Sequence, residues 1–206
     1  MTSQSGDQLS QPPADPYRLF DSWYRDADAC EEIKYAHAMC LSTVDVGGFP
    51  TARTVLLKLW DRSGFVFFTD AESPKALALV TRPHAAMTFY WGLLDRQVRI
   101  RGEVEQASDE ISDRCFRFRP RGSRIAAWAS RQSRVLESRS ELERMVDHYT
   151  EKFAGVEDVP RPPHWQAYRL RPRTLEFWQA RADRLHDRLL YTARSDGTWT
   201  LESLYP

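Results

Sequence analysis

The sequence predicts a mainly β fold with flanking helices (α+β), in which antiparallel strands close into a Greek-key barrel. Short apolar runs follow one another and are separated by tight turns around Gly47-Gly48 and Ser63-Gly64, a pattern typical of an antiparallel meander. Asp15-Pro16 and Ser73-Pro74 each place a capping residue before a proline, which marks the start of a helix. With 206 residues, 42% of them hydrophobic, the chain suits one domain with a buried core.

The elements can be assigned in order from these signals. Residues 1–14 are rich in Ser, Gln and Pro and predict a disordered tail, so the domain is expected to span residues 15–206. Apolar residues at helical spacing predict a first helix from about 15 to 29. The remaining elements are strands 38–44, 51–60 and 65–69, a helix 73–80, strands 84–91 and 97–106, helices 108–118, 124–130 and 139–153, and strands 167–170, 175–178, 185–192 and 199–201.

Composition excludes several classes of function. The net charge is zero at pH 7, which argues against a dedicated nucleic-acid binder. Cys30, Cys40 and Cys115 are odd in number and scattered, so we expect reduced thiols and a cytoplasmic protein. The N-terminus has no apolar signal region and no run approaches a membrane span, so we expect neither a secretion signal nor an anchor.

Motifs for the common nucleotide, hydrolase and metal sites are absent from the sequence. It contains no G-x-G-x-x-G, no P-loop and no G-x-S-x-G elbow. The five histidines are far apart and not at metal-ligand spacing, so we expect no metal site.

Cationic groups are concentrated near the C-terminus at Arg184, His186 and Arg188. On a strand these side chains would share one face, where they repel one another unless they are solvated or an anion lies among them. Two interpretations therefore remain open: a solvated sheet face and an anion-binding site. Trp178, just upstream, would suit the wall of a flat aromatic ligand.

Arg53 and Lys58 flank an apolar strand. A lysine buried in such a strand needs an anionic partner, whereas one at the strand end reaches solvent instead. The two residues have opposite parity, so they can meet one ligand only across the strand edge or through a β-bulge.

Two arginines precede a helix in the segment from Arg119 to Ser123. The N–H groups of a helix start, a capping hydroxyl and guanidinium groups form a phosphate seat, although an ordinary charged loop has the same composition. Lys75 follows Ser73-Pro74 in a similar but weaker arrangement. Several anion seats with aromatic walls suggest two phosphorylated aromatic ligands.

Eight segments, read in order, resemble the pyridoxine 5'-phosphate oxidase family. They are RTVLLK (53–58), FFT (67–69), SPKA (73–76), DRQV (95–98), RPRGS (119–123), AAWASRQS (126–133), EFWQ (176–179) and RLHDR (184–188). The resemblance covers about residues 15–206. It implies a split β-barrel homodimer that binds flavin mononucleotide (FMN) at its interface, with both subunits contributing to each site.

The resemblance also implies roles for individual residues. FMN would be held by Arg53, Lys58, Phe68, Thr69, Lys75, Gln97, Gln132, Ser133, Trp178 and Arg188. The substrate, a phosphorylated pyridine, would be held by Lys58, Arg119, Ser123, Arg184 and His186, with Arg184 and His186 at the reacting end as the catalytic pair. The implied reaction oxidises pyridoxamine or pyridoxine 5'-phosphate to pyridoxal 5'-phosphate, with hydride passing to the flavin and O2 being reduced to H2O2.

This chain departs from the family pattern at several positions. Cys115 stands where a tyrosine usually touches the substrate phosphate, Pro74 where an arginine usually reaches the FMN phosphate, and Phe68 in place of a tyrosine. The N-terminal tail lacks an Arg/Tyr segment that often covers the substrate. An oxidase of the same fold acting on a secondary metabolite, as in phenazine pathways, is therefore the second hypothesis, ranked below because RPRGS is intact. A non-catalytic flavin or haem carrier is the third, disfavoured by the intact RLHDR.

Overall fold

The computed structural model describes residues 9–206, and the first eight residues of the predicted tail lie outside that range. Leu9 packs against the main core, and the Tyr191 hydroxyl donates to the carbonyl of Pro13 at 2.8 Å. Leu9 and Pro13, within the segment for which a disordered tail was predicted, thus contact the domain.

Helices and strands follow the predicted order. The helices are α1 (Pro16–Asp28), α2 (Pro74–Thr81), α3 (Asp109–Arg117), α4 (Arg121–Ala129) and α5 (Arg139–Lys152). The strands are β1 (Ala38–Val44), β2 (Pro50–Asp61), β3 (Gly64–Asp70), β4 (His84–Trp91), β5 (Arg96–Gln106), β6 (Trp165–Gln179), β7 (Asp187–Ala193) and β8 (Trp199–Ser203). Two 3₁₀ turns, Gly92–Leu94 and Ala182–Arg184, lie before β5 and β7.

All strand pairs are antiparallel, in the order β3-β2-β1-β4-β5-β6-β7-β8. A further pairing of β3 with β6 closes the first six strands into a barrel, and β7 and β8 extend from the far half of β6. The predicted α+β fold with a closed antiparallel barrel is confirmed.

The strand β6 corrects one element of the prediction, which had two short strands at 167–170 and 175–178. Pro172 interrupts the apolar pattern but pairs with Gly102, where the β5–β6 register shifts. A Cβ at Gly102 would lie 1.9 Å from the Arg171 carbonyl oxygen, so only glycine allows this close approach. Because the bulge absorbs the proline, β6 runs unbroken from the β3 pairing to the β7 pairing.

The barrel core is aromatic and α1 covers one end of it. Phe20 and Trp23 of α1 are fully buried and pack edge-on against Phe65 and Phe177, respectively. A smaller cluster of Ile125, Phe153 and Val159 packs between α4 and α5. Among residues 9–206 no helix is long and apolar enough to cross a membrane.

Candidate active site

A cavity of about 740 Å³ lies beside the barrel. Its walls come from β2, β3, the start of α2, α3 and α4 with their connection, the loop after α4 and the start of β6. The predicted site residues that line it are Arg53, Lys58, Phe68, Thr69, Lys75, Arg119, Ser123 and Gln132. Residues far apart in the sequence thus line one cavity.

The pairing of β2 with β3 explains how Arg53 and Lys58 both line this cavity. In the β2–β3 pairing, Leu57 is opposite Phe67 and Leu59 is opposite Val66, so Lys58 is the extra residue of a β-bulge. Both cations line the same cavity despite their opposite parity. Lys58 is exposed in the single chain, so the prediction of a lysine buried in its strand was wrong.

Lys75 and Arg53 form one cationic end of the site. The Lys75 ammonium is buried, with 9% of the residue exposed, and it donates to Gln132 Oε1 at 2.6 Å and to Thr69 Oγ1 at 3.0 Å. Burial, and then the nearby Arg53, lower the pKa of Lys75. Arg53 donates to Thr43 Oγ1, Thr51 Oγ1 and the Leu41 carbonyl.

Lys58, Arg119 and Ser123 form the second cationic group. The Arg119 guanidinium lies 5.1 Å from the centre of the Trp165 ring and donates to the Ser123 carbonyl, while its Nε is buried without a partner. Partial desolvation, and then Arg119, lower the pKa of Lys58. Burial raises the pKa of the Cys115 thiol, against the smaller opposite influence of Arg114 and Lys58.

The donor chemistry of these two groups fits anionic ligands. Within residues 9–206, no carboxylate lies at ion-pair distance from the charged atoms of Arg53, Lys58, Lys75 or Arg119. Arg53, Lys75 and Arg119 are at least partly buried and donate only to neutral acceptors in the described residues, so binding of an anion would stabilise them. The unpartnered Nε of Arg119 has the same requirement, so the lining of the cavity suits anionic groups.

The start of α4 differs in detail from the prediction. The helix begins at Arg121 with Pro120 as its N-cap residue, and no side chain caps it. Ser123 therefore lies within the first turn and is not the capping residue that the sequence suggested. Its place on the cavity wall is unaffected.

Gln97, Trp178 and Arg188 lie apart from this cavity. They are direct neighbours across β5, β6 and β7, since Gln97 pairs with Trp178 and Trp178 with Arg188. The residues next to them, such as Phe177 and Leu189, face the core, so this row occupies the outer face of the sheet.

Arg184, His186 and Arg188 do not share a strand face, and that prediction was wrong. Arg184 belongs to the 3₁₀ turn Ala182–Arg184, and β7 begins only at Asp187. Asp183 and Arg184 have φ values of 56° and 62°, a left-handed conformation in which strand alternation does not apply.

His186 packs against Trp178 at the end of that turn. The two ring centres are 4.7 Å apart, and His186 Nδ1 accepts a hydrogen bond from the Arg181 backbone N–H at 3.1 Å. When the ring is neutral, this contact places its proton on Nε2. Nε2 is then the atom that can donate to a ligand.

Ser133 is separated from its neighbour Gln132. Ser133 has a φ of 67° and lines a different cavity of about 730 Å³ between the loop after α4 and α5. The left-handed residue turns the chain, so that only Gln132 reaches Lys75.

In one chain, most of the predicted site residues therefore lie in two separate groups. The cavity holds both cationic groups, and the outer face of β5–β7 holds Gln97, Trp178 and Arg188, with Arg184 and His186 beside it.

Two contributing residues were missed at the sequence level. Trp165 stacks on Phe68 with ring centres 4.5 Å apart and also lies under Arg119. Glu176 accepts two hydrogen bonds from Arg188. The sequence did indicate that it lies near the site, because Glu176 and Trp178 in EFWQ are two residues apart and therefore share a strand face.

Comparison with known proteins places this geometry in context. The family model described as pyridoxamine 5'-phosphate oxidase matches residues 26–153, and the one described as pyridoxine 5'-phosphate oxidase C-terminal dimerisation region matches residues 165–206. A pyridoxine/pyridoxamine 5'-phosphate oxidase of Brucella canis is 49% identical over 205 residues, which cover 99% of this chain and 100% of the relative.

Solved structures share the fold. PhzG from Burkholderia lata 383, crystallised with tetrahydrophenazine-1-carboxylic acid, has a TM-score of 0.90 and 29% identity, covering 97% of this chain and 96% of its own. A pyridoxamine 5'-phosphate oxidase-related, FMN-binding protein of Nostoc punctiforme has a TM-score of 0.75 and 18% identity, covering 94% and 100%, respectively. The second likeness is evidence for the fold alone.

Proposed function

The chain belongs to the pyridoxine/pyridoxamine 5'-phosphate oxidase family, and we propose that it is an FMN-dependent oxidase that converts pyridoxine or pyridoxamine 5'-phosphate to pyridoxal 5'-phosphate and reduces O2 to H2O2. The observation that carries the proposal is the pair of cationic groups, Arg53 with Lys75 and Lys58 with Arg119, in one cavity without carboxylate partners among residues 9–206. Two such groups suit two phosphorylated ligands.

The first group is the seat for the cofactor phosphate. Arg53 and Lys75 would neutralise it, and the Thr69 and Gln132 side chains, which contact Lys75, would complete the hydrogen bonding. Phe68 and Ser133 are further proposed flavin contacts. When bound, FMN supplies the two-electron acceptor that O2 reoxidises.

The second group is the seat for the substrate phosphate. Lys58 and Arg119 provide charge, and the hydroxyl of Ser123 provides a hydrogen bond. Holding the phosphate in this way fixes the pyridine ring relative to the flavin. Arg184 would orient that ring, and His186 Nε2–H would donate a hydrogen bond near the reacting carbon.

The protein would act as a homodimer, because Gln97, Trp178 and Arg188 lie outside the cavity of their own chain. The outer sheet face presents Tyr90, which is 67% exposed, next to Gln97, and the matched C-terminal region is described as a dimerisation region. If a second copy packs on this face, Gln97, Trp178 and Arg188 of one subunit would line the cavity of the other. Cys30, Cys40 and Cys115 are free thiols, which fits the reducing cytoplasm that we propose as its location.

The second candidate is an oxidase of a phenazine-type metabolite. It is favoured by the similarity to PhzG and by Cys115, since a thiol is a weak hydrogen-bond donor in a phosphate seat. The intact Lys58 and Arg119 pair favours the phosphorylated substrate.

Purified protein tests both candidates. The released flavin is identified by chromatography, and the bound flavin is mixed without oxygen with pyridoxine 5'-phosphate, pyridoxamine 5'-phosphate or tetrahydrophenazine-1-carboxylic acid. Bleaching by the two vitamers, followed by H2O2 formation when air is admitted, is the expected result. Bleaching by the phenazine compound alone would establish the second candidate, and a loaded flavin that no substrate bleaches would contradict both.

Mixed dimers test the shared site. Arg53→Ala and Arg188→Ala variants are expected to be inactive alone, but a heterodimer of the two has one site with neither substitution. Recovered activity on mixing supports a site built from two chains, whereas a site complete in one chain would give no recovery.

A further inference from the structure

Glu176 is a buried carboxylate on β6, and its side chain lies on the same outer face of the sheet as Trp178. Only 8% of the residue is exposed, and each of its two carboxylate oxygens has an arginine partner. Oε1 accepts hydrogen bonds from Nε and Nη2 of Arg188 at 3.0 and 2.8 Å, and Oε2 lies 3.2 Å from Nη1 of Arg99. A buried carboxylate with two arginines is costly to build and is favourable only when its geometry is good.

The strand register explains how one carboxylate reaches both partners. Arg99 is directly opposite Glu176 across β5–β6, whereas Arg188 is opposite Trp178 across β6–β7. The Arg188 side chain therefore lies along the strands to reach Glu176. Its long and otherwise mobile stem is fixed beside the indole of Trp178.

Hydrogen bonding determines which edge of the Arg188 guanidinium is left for a ligand. Glu176 takes the Nε–H and one N–H of Nη2, and the Tyr205 carbonyl takes one N–H of Nη1 at 2.9 Å. One N–H on each terminal nitrogen then has no partner among residues 9–206. These two N–H groups remain available to acceptor atoms on a ligand.

We propose that Glu176 is a positioning residue for the flavin: it fixes Arg188 so that the remaining N–H pair of the guanidinium faces the cofactor bound against Trp178. The inference rests on the proposed function, in which Arg188 contacts FMN. Charge alone would give the opposite effect, because a carboxylate near an anionic cofactor is repulsive. Arg99 offsets this repulsion, since two arginines and one carboxylate leave a net positive charge.

The test measures FMN binding to flavin-stripped protein by the quenching of flavin fluorescence. Glu176→Gln keeps the size of the side chain and removes its charge, and we expect the dissociation constant to rise about tenfold, which corresponds to 1.4 kcal/mol. Glu103→Gln is the matched control, because Glu103 also pairs with an arginine, Arg173, on the same two strands and is exposed. It should leave FMN binding unchanged.

A double-mutant cycle with Arg188→Ala shows whether Glu176 acts through Arg188. Arg188→Ala alone should weaken FMN binding, and adding Glu176→Gln should then have no further effect. If Glu176→Gln destabilises the flavin-free fold, Glu176→Asp is the second variant: it keeps the charge but shortens the side chain, so the side-on pairing with Arg188 is lost and FMN binding should weaken about tenfold as well, whereas unchanged binding would overturn the positioning role.

The outcomes separate this inference from the proposed function. Unchanged or tighter FMN binding in Glu176→Gln, together with weakened binding in Arg188→Ala, overturns the positioning role alone. Unchanged binding in Arg188→Ala contradicts the proposed flavin contact of Arg188, and the role of Glu176 falls with it.

Discussion

The ammonium of Lys75 lies 2.6 Å from the amide oxygen of Gln132, a residue 57 positions further along the chain. This contact ties the start of α2 to the loop after α4, and the Thr69 hydroxyl reinforces it by donating to the same oxygen at 2.8 Å. A buried cation is therefore held by neutral acceptors, an arrangement that favours ligand binding over the stability of the chain alone.

Lys75→Met should have opposite effects on stability and on cofactor binding. Removing the buried ammonium is expected to leave the free energy of unfolding of the flavin-free chain unchanged or to raise it by about 1 kcal/mol, because its desolvation cost disappears. FMN affinity should fall by about tenfold or more, since a charge-assisted hydrogen bond is lost. Chemical denaturation with and without FMN measures both, with Lys34→Met, at an exposed site, as a control that should change neither. A variant that is less stable without FMN would contradict this account.

Arg119→Ala distinguishes the two candidate substrates. Truncating an arginine that binds a partly desolvated phosphate costs about 3 kcal/mol, so KM for pyridoxine 5'-phosphate should rise roughly 100-fold. Oxidation of a substrate without phosphate should barely change. Arg117→Ala is the control, because Arg117 is on the same segment, is exposed and pairs with Asp158. Equal KM changes in both variants would show that Arg119 has no special role.

Cys115→Ser tests the unusual thiol in the phosphate seat. The thiol lines the cavity with Lys58 and Arg119, and a hydroxyl of similar size is a stronger donor. One additional hydrogen bond is worth about 1 kcal/mol, so KM for the phosphorylated substrate should fall several-fold. Cys115→Ala provides the comparison without a donor. A KM that is the same for all three side chains would mean that position 115 does not touch the phosphate.

Much of the fold could be predicted from local chemistry. The strands at 38–44 and 84–91 match β1 and β4, because alternation and turn residues determine them locally. The pairing of β3 with β6 brings together residues about 100 positions apart. Local sequence patterns cannot predict such a pairing. The unbroken β6 was missed for a related reason: Pro172 is tolerated only because Gly102 lies opposite on β5.

The sequence motifs identified candidate site residues but not their arrangement in the fold. Position along a strand could not decide whether Arg53 and Lys58 meet, because the bulge that admits both depends on pairing with β3. Alternation gave the wrong answer at Arg184, where two consecutive non-glycine residues adopt a left-handed conformation that sequence does not announce. The open question at Arg53 and Lys58 and the wrong prediction at Arg184 do not concern residue chemistry; both depend on backbone geometry that tertiary contacts impose.

Lys58 should make anion binding depend on pH. Its pKa in the folded chain lies below the usual 10.5, so the cation is lost as pH rises through that lower value, and inhibition by inorganic phosphate should weaken there. The same shift means that the charged form costs stability at lower pH and that this cost disappears as pH rises towards 10.5. The competitive inhibition constant of phosphate, measured from pH 8 to about 10.5, reports this directly.

A matched background isolates the lysine in that experiment. Cys115 would itself become anionic at high pH near Lys58, so the series is run in Cys115→Ser protein. Lys58→Arg keeps its charge throughout this range and should remove the pH dependence. A dependence that persists in Lys58→Arg would assign the titration to another group.

Asp183→Gly tests whether the left-handed turn before β7 serves to hold Arg184. Asp183 has a φ of 56°, which costs a non-glycine residue roughly 1 kcal/mol, so glycine should leave the free energy of unfolding unchanged or raise it by up to about that amount. Glycine also loosens the turn, and Arg184 then loses the fixed position from which it would contact the substrate ring. KM should therefore rise several-fold while the fold is retained.

Asp95→Gly is a control of the same kind, because Asp95 has a φ of 53° after the other 3₁₀ turn and lies outside the proposed site residues. It should relieve a similar strain and leave KM unchanged. Denaturation curves and steady-state kinetics of the two variants separate strain from function: if Asp183→Gly matches Asp95→Gly in both, the turn does not position Arg184, and its strained backbone needs another explanation.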